Sequence, residues 1–562
     1  MQITFAKLSR SVATLLLSTL LIFGLVAKAS EPQLISSDDA LYPRLVQLNH
    51  QADPENNGDI IASVTSFAGG QGHADIFVSR NEGESFERLS QIYDEDFLTG
   101  LCCGGLYELP SAVNELAAGT LLWAGSVGQE AADTPMQMKI YHSVDQGQSW
   151  DYLSNCVDAQ APKRQGGIWE AEFVIAKTGE LVCYFADETP QNHSQTLRYT
   201  KSSDGINWSD PVNVVASTNP NDRPGMPEVV RLASGQFMMS YEICGGLNCA
   251  TYYRLSEDGL DWGDPTDLGR AVETPDGLTF WATPTLALAP KASGGEQLLL
   301  QGHTLVKGGA DQPGNGATVF INSSADPVNG EWYAYDAPTP VDLPAGTSVN
   351  YCENYSSPLL PLSGGLKLLQ LSSDFADDGV CRTWFNVAPL GGVRAQVDEV
   401  RGSAGETLTG TVHLRVSDGF DGDYTLDLQV EGLEGRVELS QSPVTLLSDR
   451  EQSVSFTVIP EALVQSLSPA DITLMAGALL VPWFCSMLLV RSGRIKLAVC
   501  ATLATVVLML SSCGGGGGGN AAPGGSVNTV TTHYQGVLRV SSVDNPDVET
   551  QTQFTVVVSH QE

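Results

Sequence analysis

The chain has 562 residues, more than one compact core holds, so it should divide into several domains. Its 29 Lys and Arg stand against 65 Asp and Glu, a formal charge of −36, which argues against nucleic acid as a partner. The acidic residues are spread through the chain; they solvate a surface and point to no substrate. Residues 1–29 have the pattern of a secretory signal. Lys7 and Arg10 supply the basic start, residues 11–26 an apolar stretch, and Ala27-Lys28-Ala29 a small-x-small cleavage site before Ser30. An uncleaved anchor helix is the alternative. Either way the following domain is expected outside the cytoplasm, periplasmic or at the cell surface. Eight of the eleven cysteines lie between Cys102 and Cys381, which suits an oxidising compartment. Cys244 and Cys249 are close enough to bridge a hairpin, and the adjacent Cys102 and Cys103 are expected to pair outward with two other partners. No CxxC pair or His-rich spacing suggests a metal, and no cofactor is expected.

The first 400 or so residues repeat. Ser79-Arg80-Asn81-Glu82-Gly83-Glu84-Ser85-Phe86 is a variant of the S-x-D-x-G-x-x-W pattern that Ser143-Val144-Asp145-Gln146-Gly147-Gln148-Ser149-Trp150 fits in full. Ser202-Ser203-Asp204-Gly205-Ile206-Asn207-Trp208 and Ser256-Glu257-Asp258-Gly259-Leu260-Asp261-Trp262 are shorter by one residue, and Ser324, Asp326, Gly330 and Trp332 mark a degraded fifth copy. The chemistry is that of a β-turn: a carboxylate accepts backbone N–H bonds across the turn, glycine takes the positive φ, and the indole packs on the neighbouring sheet. Such copies, roughly 50 to 65 residues apart, predict a propeller with one four-stranded blade per repeat. A second repeat, two short strands joined by a Gly turn, starts at Tyr42-Pro43, Leu109-Pro110, Trp169-Glu170, Met226-Pro227, Thr283-Pro284 and Ser357-Pro358, which gives six blades over residues 38–395.

In these motifs the chain resembles the sialidase superfamily of six-bladed propellers. Blades three and four are most similar in wording to the exo-acting α-L-arabinanases of glycoside hydrolase family 93. The resemblance implies a site at the centre of one propeller face that holds the non-reducing end of a glycan and cuts it with a carboxylate pair, one donating a proton, the other attacking or activating water. It puts one catalytic carboxylate at Glu170 and its partner at Glu242. Glu172 shares the strand face of Glu170 by period two, so an exchange of roles stays open. A Glu that ends the apolar run 237–241 is costly to bury without a function or a partner. Arg44 sits where sialidases keep the first arginine of a carboxylate-binding triad, and Asp75 matches a sialidase position. The stretch before Asp75 lacks the family's arginine and acidic residue, which counts against sialic acid. Tyr355-Ser356-Ser357 resembles the segment of the sialidase tyrosine nucleophile. Arg223, at the opening of blade four, and Asp187, with its neighbours Glu188, His193 and Gln195, are candidates for sugar hydroxyls, and Trp169 and Trp281 for stacking on a sugar face. The bland readings are packing aromatics and a wet loop.

Beyond Pro389 the pattern changes. Residues 407–415, 424–430, 454–458, 536–541 and 552–559 alternate apolar and polar, as in an Ig-like β-sandwich. Its first part spans 396–465 and its last strands 526–562. Between them, 466–525 holds an uncharged run of 19 residues at 472–490, a basic tip from Arg491 to Lys496, an apolar stretch at 497–510 and a Gly-rich linker. This predicts a transmembrane hairpin over 472–513 with its basic tip cytoplasmic. Leu510-Ser511-Ser512-Cys513 also fits a lipobox, so Cys513 is a candidate for lipidation. The expected fold is all-β: a six-bladed propeller, then an Ig-like sandwich interrupted by a hydrophobic hairpin. Three functions compete: an exo-acting glycoside hydrolase on arabinan-like chains, an exo-α-sialidase, and a non-catalytic glycan-binding or adhesion protein.

Overall fold

The computed structural model describes residues 31–433, 435–448, 450–460, 529–545 and 548–561. They are all-β, with short 3-10 turns at strand ends. Six sheets follow one another along the chain. Blade 1 is built from Ala40–Gln47, Ile60–Ser66, His73–Ser79 and Glu87–Ile92, and blade 2 from Leu101–Glu108, Leu121–Val127, Pro135–Ser143 and Asp151–Pro162. Blade 3 comprises Ile168–Ile175, Leu181–Asp187, Thr196–Ser202 and Val212–Val215. Blade 4 comprises Arg223–Arg231, Phe237–Cys244 and Ala250–Ser256, extended by Arg270–Ala271, Leu278–Trp281, Thr304–Lys307 and Ala310–Asp311. Blade 5 is Thr285–Pro290, Glu296–Gln301, Thr318–Asn322 and Tyr333–Asp336. Blade 6 is Leu359–Leu362, Lys367–Phe375 and Cys381–Pro389, with the early strand Gln33–Leu34 pairing on its outer edge. That pairing joins the two ends of the repeat. The first strands of successive blades touch in turn and the sixth returns to the first, so they line the axis.

The second strands of blades 1 to 3, Ile60–Ser66, Leu121–Val127 and Leu181–Asp187, are buried along their whole length. Each is covered on both faces by adjacent blades, which is why these segments read as unbroken apolar runs. The start of blade 2 differs from the sequence expectation. Its first strand precedes Leu109-Pro110 and contains Cys102-Cys103-Gly104-Gly105, a run that does not look like a buried strand. The reason lies in packing: a Cβ on Gly105 would collide with the carbonyl oxygen of Ala171 in blade 3, so glycine lets the two inner strands approach.

The Asp boxes occupy the turns between third and fourth strands, away from the axis. At the full copy, Asp145 Oδ1 accepts from Ser143 Oγ at 2.7 Å and from Ser149 N–H at 2.9 Å, and Gly147 N–H donates to Ser143 Oγ at 2.8 Å. The Trp150 indole N–H reaches Ser90 Oγ of blade 1 at 3.2 Å, and that of Trp208 reaches Ser154 Oγ of blade 2 at 3.1 Å. Each box therefore closes its own turn and ties its blade to the previous one. Asp145→Ala removes charge-assisted bonds and is expected to lower stability by about 1–3 kcal/mol, read by denaturant unfolding, with no effect on the site at the axis.

Past blade 6 two further sheets pack on one core. One holds Val393–Val397, Leu408–Val416, Gln452–Pro460 and Gly435–Leu439; the other holds Val400–Ser403, Glu549–Gln561, Thr529–Ser542, Gly422–Val430 and Val444–Leu446. Leu414, Phe456, Leu538 and Val556 meet between them. Arg394 pairs with Asp276 at 3.1 Å, and the Arg415 guanidinium lies 4.0 Å above the Tyr333 ring, so this unit rests on blades 4 and 5. The transmembrane reading is corrected here: among the described residues no helix is long and apolar enough to cross a membrane, because the described chain is built of strands. The segment 466–525, with the expected hairpin and Cys513, and the leader 1–29 lie outside the described residues.

Candidate active site

The inner strands share a device. In blades 1 to 4 each carries a β-bulge, between Leu41 and Arg44, Cys102 and Gly105, Trp169 and Glu172, and Gly225 and Glu228. At each bulge one non-glycine residue takes a positive φ: Tyr42 (54°), Cys103 (62°), Glu170 (51°) and Met226 (55°). Thr283 (46°) and Ser356 (56°) take it just ahead of the inner strands of blades 5 and 6. A bulge bends the strand and re-aims a side chain, and left-handed non-glycine residues concentrate at working sites. Here one residue per blade is turned toward the axis, and in blade 3 that residue is Glu170.

A cavity of about 750 Å³ opens there, lined among others by Tyr42, Cys102, Cys103, Lys163, Trp169, Glu170, Glu188, Gln195, Arg223, Glu242, Thr283, Tyr351 and Tyr355. Seven of the expected site residues thus come together: Glu170, Glu242, Tyr355, Trp169, Arg223, Glu188 and Gln195. Glu242 lies opposite Gly225 in the blade 4 register. A Cβ at Gly225 would meet Gln195 Nε2 at 2.6 Å, so glycine keeps room for Gln195 beside the carboxylate. Glu242 Oε2 accepts from the Thr283 N–H at 2.6 Å. Burial pushes its carboxyl up to about 7, against the Thr283 amide and the Arg223 charge. Burial, then the neighbouring Glu242, pushes Glu170 up to about 8, and Glu170 Oε2 has no protein partner. Two carboxyls facing one cavity, each raised by burial, cannot both be charged at low cost, so near neutral pH the pair holds one proton between them.

The rest of the lining is fixed by hydrogen bonds. Arg223 donates to Glu188 Oε1 at 2.6 Å, to Gln195 Oε1 at 2.7 Å and to Ser194 Oγ at 2.9 Å. Burial alone would raise Glu188, but the Arg223 bond and the Gly167 N–H hold it below the usual range. Glu188 is thus the charged partner of Arg223 and is not available as an acid. Tyr355 is pushed well above its ordinary value by burial and by the Glu242 and Glu170 carboxyls, so its phenol stays protonated.

The other expected binding residues do not line the cavity. Arg44 lies beneath its floor, donating to Ser356 O at 3.2 Å, stacked 4.1 Å from the Tyr42 ring and 3.5 Å from Glu228. Glu172 is on the same level, accepting from Val229 N–H at 3.2 Å, with its carboxyl raised by burial and by Glu228. Period two puts Glu172 on the face of Glu170 only in a regular strand, and the bulge between them breaks that rule. Asp75 stands on the third strand of blade 1, bonded to the Arg88 guanidinium and 3.4 Å from His73 Nε2. Asp187 is spent on Arg198 at 2.8 Å and on the N–H and hydroxyl of Thr189. Trp281 belongs to the extension of blade 4, paired with Thr304. Tyr42, Lys163, Tyr351 and Thr283 were not singled out from sequence as site residues; the repeat starts Tyr42-Pro43 and Thr283-Pro284 were the signal that could have found Tyr42 and Thr283.

The Cys244–Cys249 bridge is as expected, whereas the adjacent pair differs from expectation. Cys102 and Cys103 bond to each other, not outward, and Cys244 bonds to Cys249. Cys156–Cys183 joins blade 2 to blade 3, and Cys352–Cys381 ties the loop before blade 6 to its third strand. Among the described residues, one cluster has metal-ligand spacing, Glu242 with Cys244 and Cys249, and its sulfurs are committed to the disulfide.

No protein-family model matches the sequence, and no curated protein matches it. Solved structures do. An α-L-arabinanase of Penicillium chrysogenum, complexed with arabinobiose, is 25% identical with a TM-score of 0.54, covering 65% of this chain and 99% of that one. A family 93 α-L-arabinofuranosidase of Fusarium graminearum, also complexed with arabinobiose, is 22% identical with a TM-score of 0.51 over 64% of this chain and 96% of that one. The same Fusarium enzyme with an iminosugar inhibitor gives 22% and 0.52. The chain is an all-β propeller, similar in fold to an α-L-arabinanase and to a family 93 α-L-arabinofuranosidase.

Proposed function

We propose that this protein is an exo-acting glycoside hydrolase that removes terminal arabinose-like sugars from a linear glycan, with Glu170 and Glu242 as its carboxylate pair. The observation that carries this is the pair itself: two half-buried carboxyls with raised proton affinity, facing one cavity at the propeller centre. One member, as the acid, gives its proton to the leaving glycosidic oxygen. The other, ionised, attacks the anomeric carbon or takes a proton from the water that does, and hydrolysis returns the proton to the pair. Trp169 offers a ring face for the sugar, and Arg223, held by Glu188 and Gln195, offers donors to its hydroxyls.

The sialidase reading draws support from Tyr355 in the cavity beside both carboxyls. It is weakened because Arg44, which it needs for a substrate carboxylate, is engaged below the floor with Ser356, Tyr42 and Glu228. The expected result is release of phenol from an aryl α-L-arabinofuranoside, or shortening of linear arabinan, with an aryl sialoside left intact. The reverse pattern would replace the first reading by the second, and glycan binding without turnover would replace both by an adhesion role. We also propose export, supported by the four disulfides among the described residues, and an Ig-like spacer role for the two-sheet unit.

A further inference from the structure

The four described disulfides fall into two kinds. Cys156–Cys183 and Cys352–Cys381 close loops with sequence separations of 27 and 29, whereas Cys102–Cys103 and Cys244–Cys249 close separations of 1 and 5. In the chain-entropy account a disulfide stabilises a fold by the loop freedom it removes from the unfolded chain, and that gain grows with loop length. The two shortest bridges therefore contribute least as staples. They are also the two whose cysteines all line the cavity.

The Cys244–Cys249 bridge sits against the Glu242 carboxyl, and the Cys102–Cys103 bridge lines the same cavity as Glu170. The sulfurs of Cys244 and Cys249 and a carboxylate oxygen of Glu242 all lie within 4.8 Å of one another. Cys244 ends the strand that carries Glu242, and the carbonyl of Cys249 accepts from the Ala282 N–H at 2.7 Å. The next amide along, Thr283 N–H, is the one that holds Glu242 at 2.6 Å. The bridge thus clamps the turn at 245–247 so that both Glu242 and its hydrogen-bond donor are set from one place. On the other side, Cys103 takes the axial bulge of blade 2 and packs with Tyr42 and Met226, two residues before Gly105, which abuts Ala171 next to Glu170.

We infer that Cys102–Cys103 and Cys244–Cys249 are positioning groups of the active site, forming uncharged sulfur walls that set the two carboxyls and keep water from them. The inference rests on the glycosidase reading for its rate measurement, and arabinobiose binding supplies a measurement independent of turnover. The groups that face the pair are Arg223 and the Met226 amide from blade 4, the Thr283 amide ahead of blade 5, Tyr355 from the loop before blade 6, Tyr42 from blade 1, Glu188 from blade 3 and Arg44 from below. None of them is removed by changing the bridges. Opening either wall admits water, eases the desolvation of the carboxyls and moves their titration down.

The test compares C244A/C249A and C102A/C103A with C156A/C183A on the full chain. The short-bridge variants are expected to keep a Tm near that of the native protein. Their kcat/KM on an aryl α-L-arabinofuranoside should fall by about tenfold to a hundredfold, with the alkaline limb of the pH profile moved to lower pH and arabinobiose binding weakened in calorimetry. C156A/C183A is expected to lose Tm by several degrees with its pH limb unmoved. The inference is overturned if the short-bridge variants keep both rate and pH limb, or if they fail to fold or lose Tm as the long-bridge variant does. If the native chain turns over no arabinoside, the glycosidase reading falls, and arabinobiose binding alone then decides the bridges: weakened binding upholds them, unchanged binding overturns them.

Discussion

Glu170→Gln and Glu242→Gln are each expected to lower turnover by about 10²–10⁴-fold while the propeller stays folded. Gln has nearly the shape of Glu and keeps an acceptor for the Thr283 N–H, so Glu242→Gln preserves that bond while abolishing the ionisable group. Glu170→Gln likewise leaves the bulge and its positive φ in place. What each removes is the capacity to give or take a proton, and the pair needs both states. Asp75→Asn is the informative contrast. Asp75 is also a carboxylate, but it stands on the third strand of blade 1, away from the axis, and pairs with Arg88, so its loss should cost stability and leave kcat near native. Steady-state kinetics on an aryl α-L-arabinofuranoside, with circular dichroism to confirm folding, checks all three.

The second large effect is on stability against pH. The ordinary carboxyl value is 4.5, and in the folded chain Glu170 and Glu242 are raised to about 8 and about 7. A raised carboxyl means that the native state holds protons that the unfolded chain has released once pH exceeds 4.5. Stability from these groups is therefore unaffected below that value, falls as pH rises through the interval up to about 8, and stays low above it. The double variant E170Q/E242Q has nothing to ionise there. It should be more stable than the native protein at alkaline pH by on the order of a few kcal/mol, with the gap closing toward pH 4.5. Urea unfolding across this range reads the difference. Activity should follow the same protons: kcat/KM is expected to be highest between about 7 and about 8, where the pair holds one proton, and to fall on either side.

Why some of this was visible in the sequence and some was not has a physical pattern. The Asp boxes were readable because each is closed by its own residues: Ser143, Asp145 and Ser149 satisfy one another within seven positions. The pair Glu170 and Glu242 was placed by resemblance to the family 93 arabinanases, and the cost of burying a Glu at the end of the apolar run 237–241 supported the second. What failed were inferences that need register. The bulge at 169–172 turns Glu170 to the axis and leaves Glu172 under the floor, and strict alternation gives no sign of it. Arg44 and Asp75 were placed by likeness to sialidases, but the first is sequestered by Ser356 and Glu228 and the second by Arg88. The Cys102–Cys103 bridge depends on a positive φ at Cys103, a backbone property that side-chain spacing does not report. The apolar run at 472–490 met a length criterion for a span but lies outside the described residues, among which no helix is long and apolar enough to cross a membrane.

The central claim is that this cavity cuts sugars from one end of a chain with Glu170 and Glu242. It is tested most directly by incubating linear arabino-oligosaccharides, labelled at the reducing end, with the native protein and with E170Q/E242Q, and following the labelled fragments by mass. Stepwise shortening from the unlabelled end by the native chain, abolished in the double variant, is the predicted result. Intact oligosaccharides, or shortening that persists in the double variant, would contradict it.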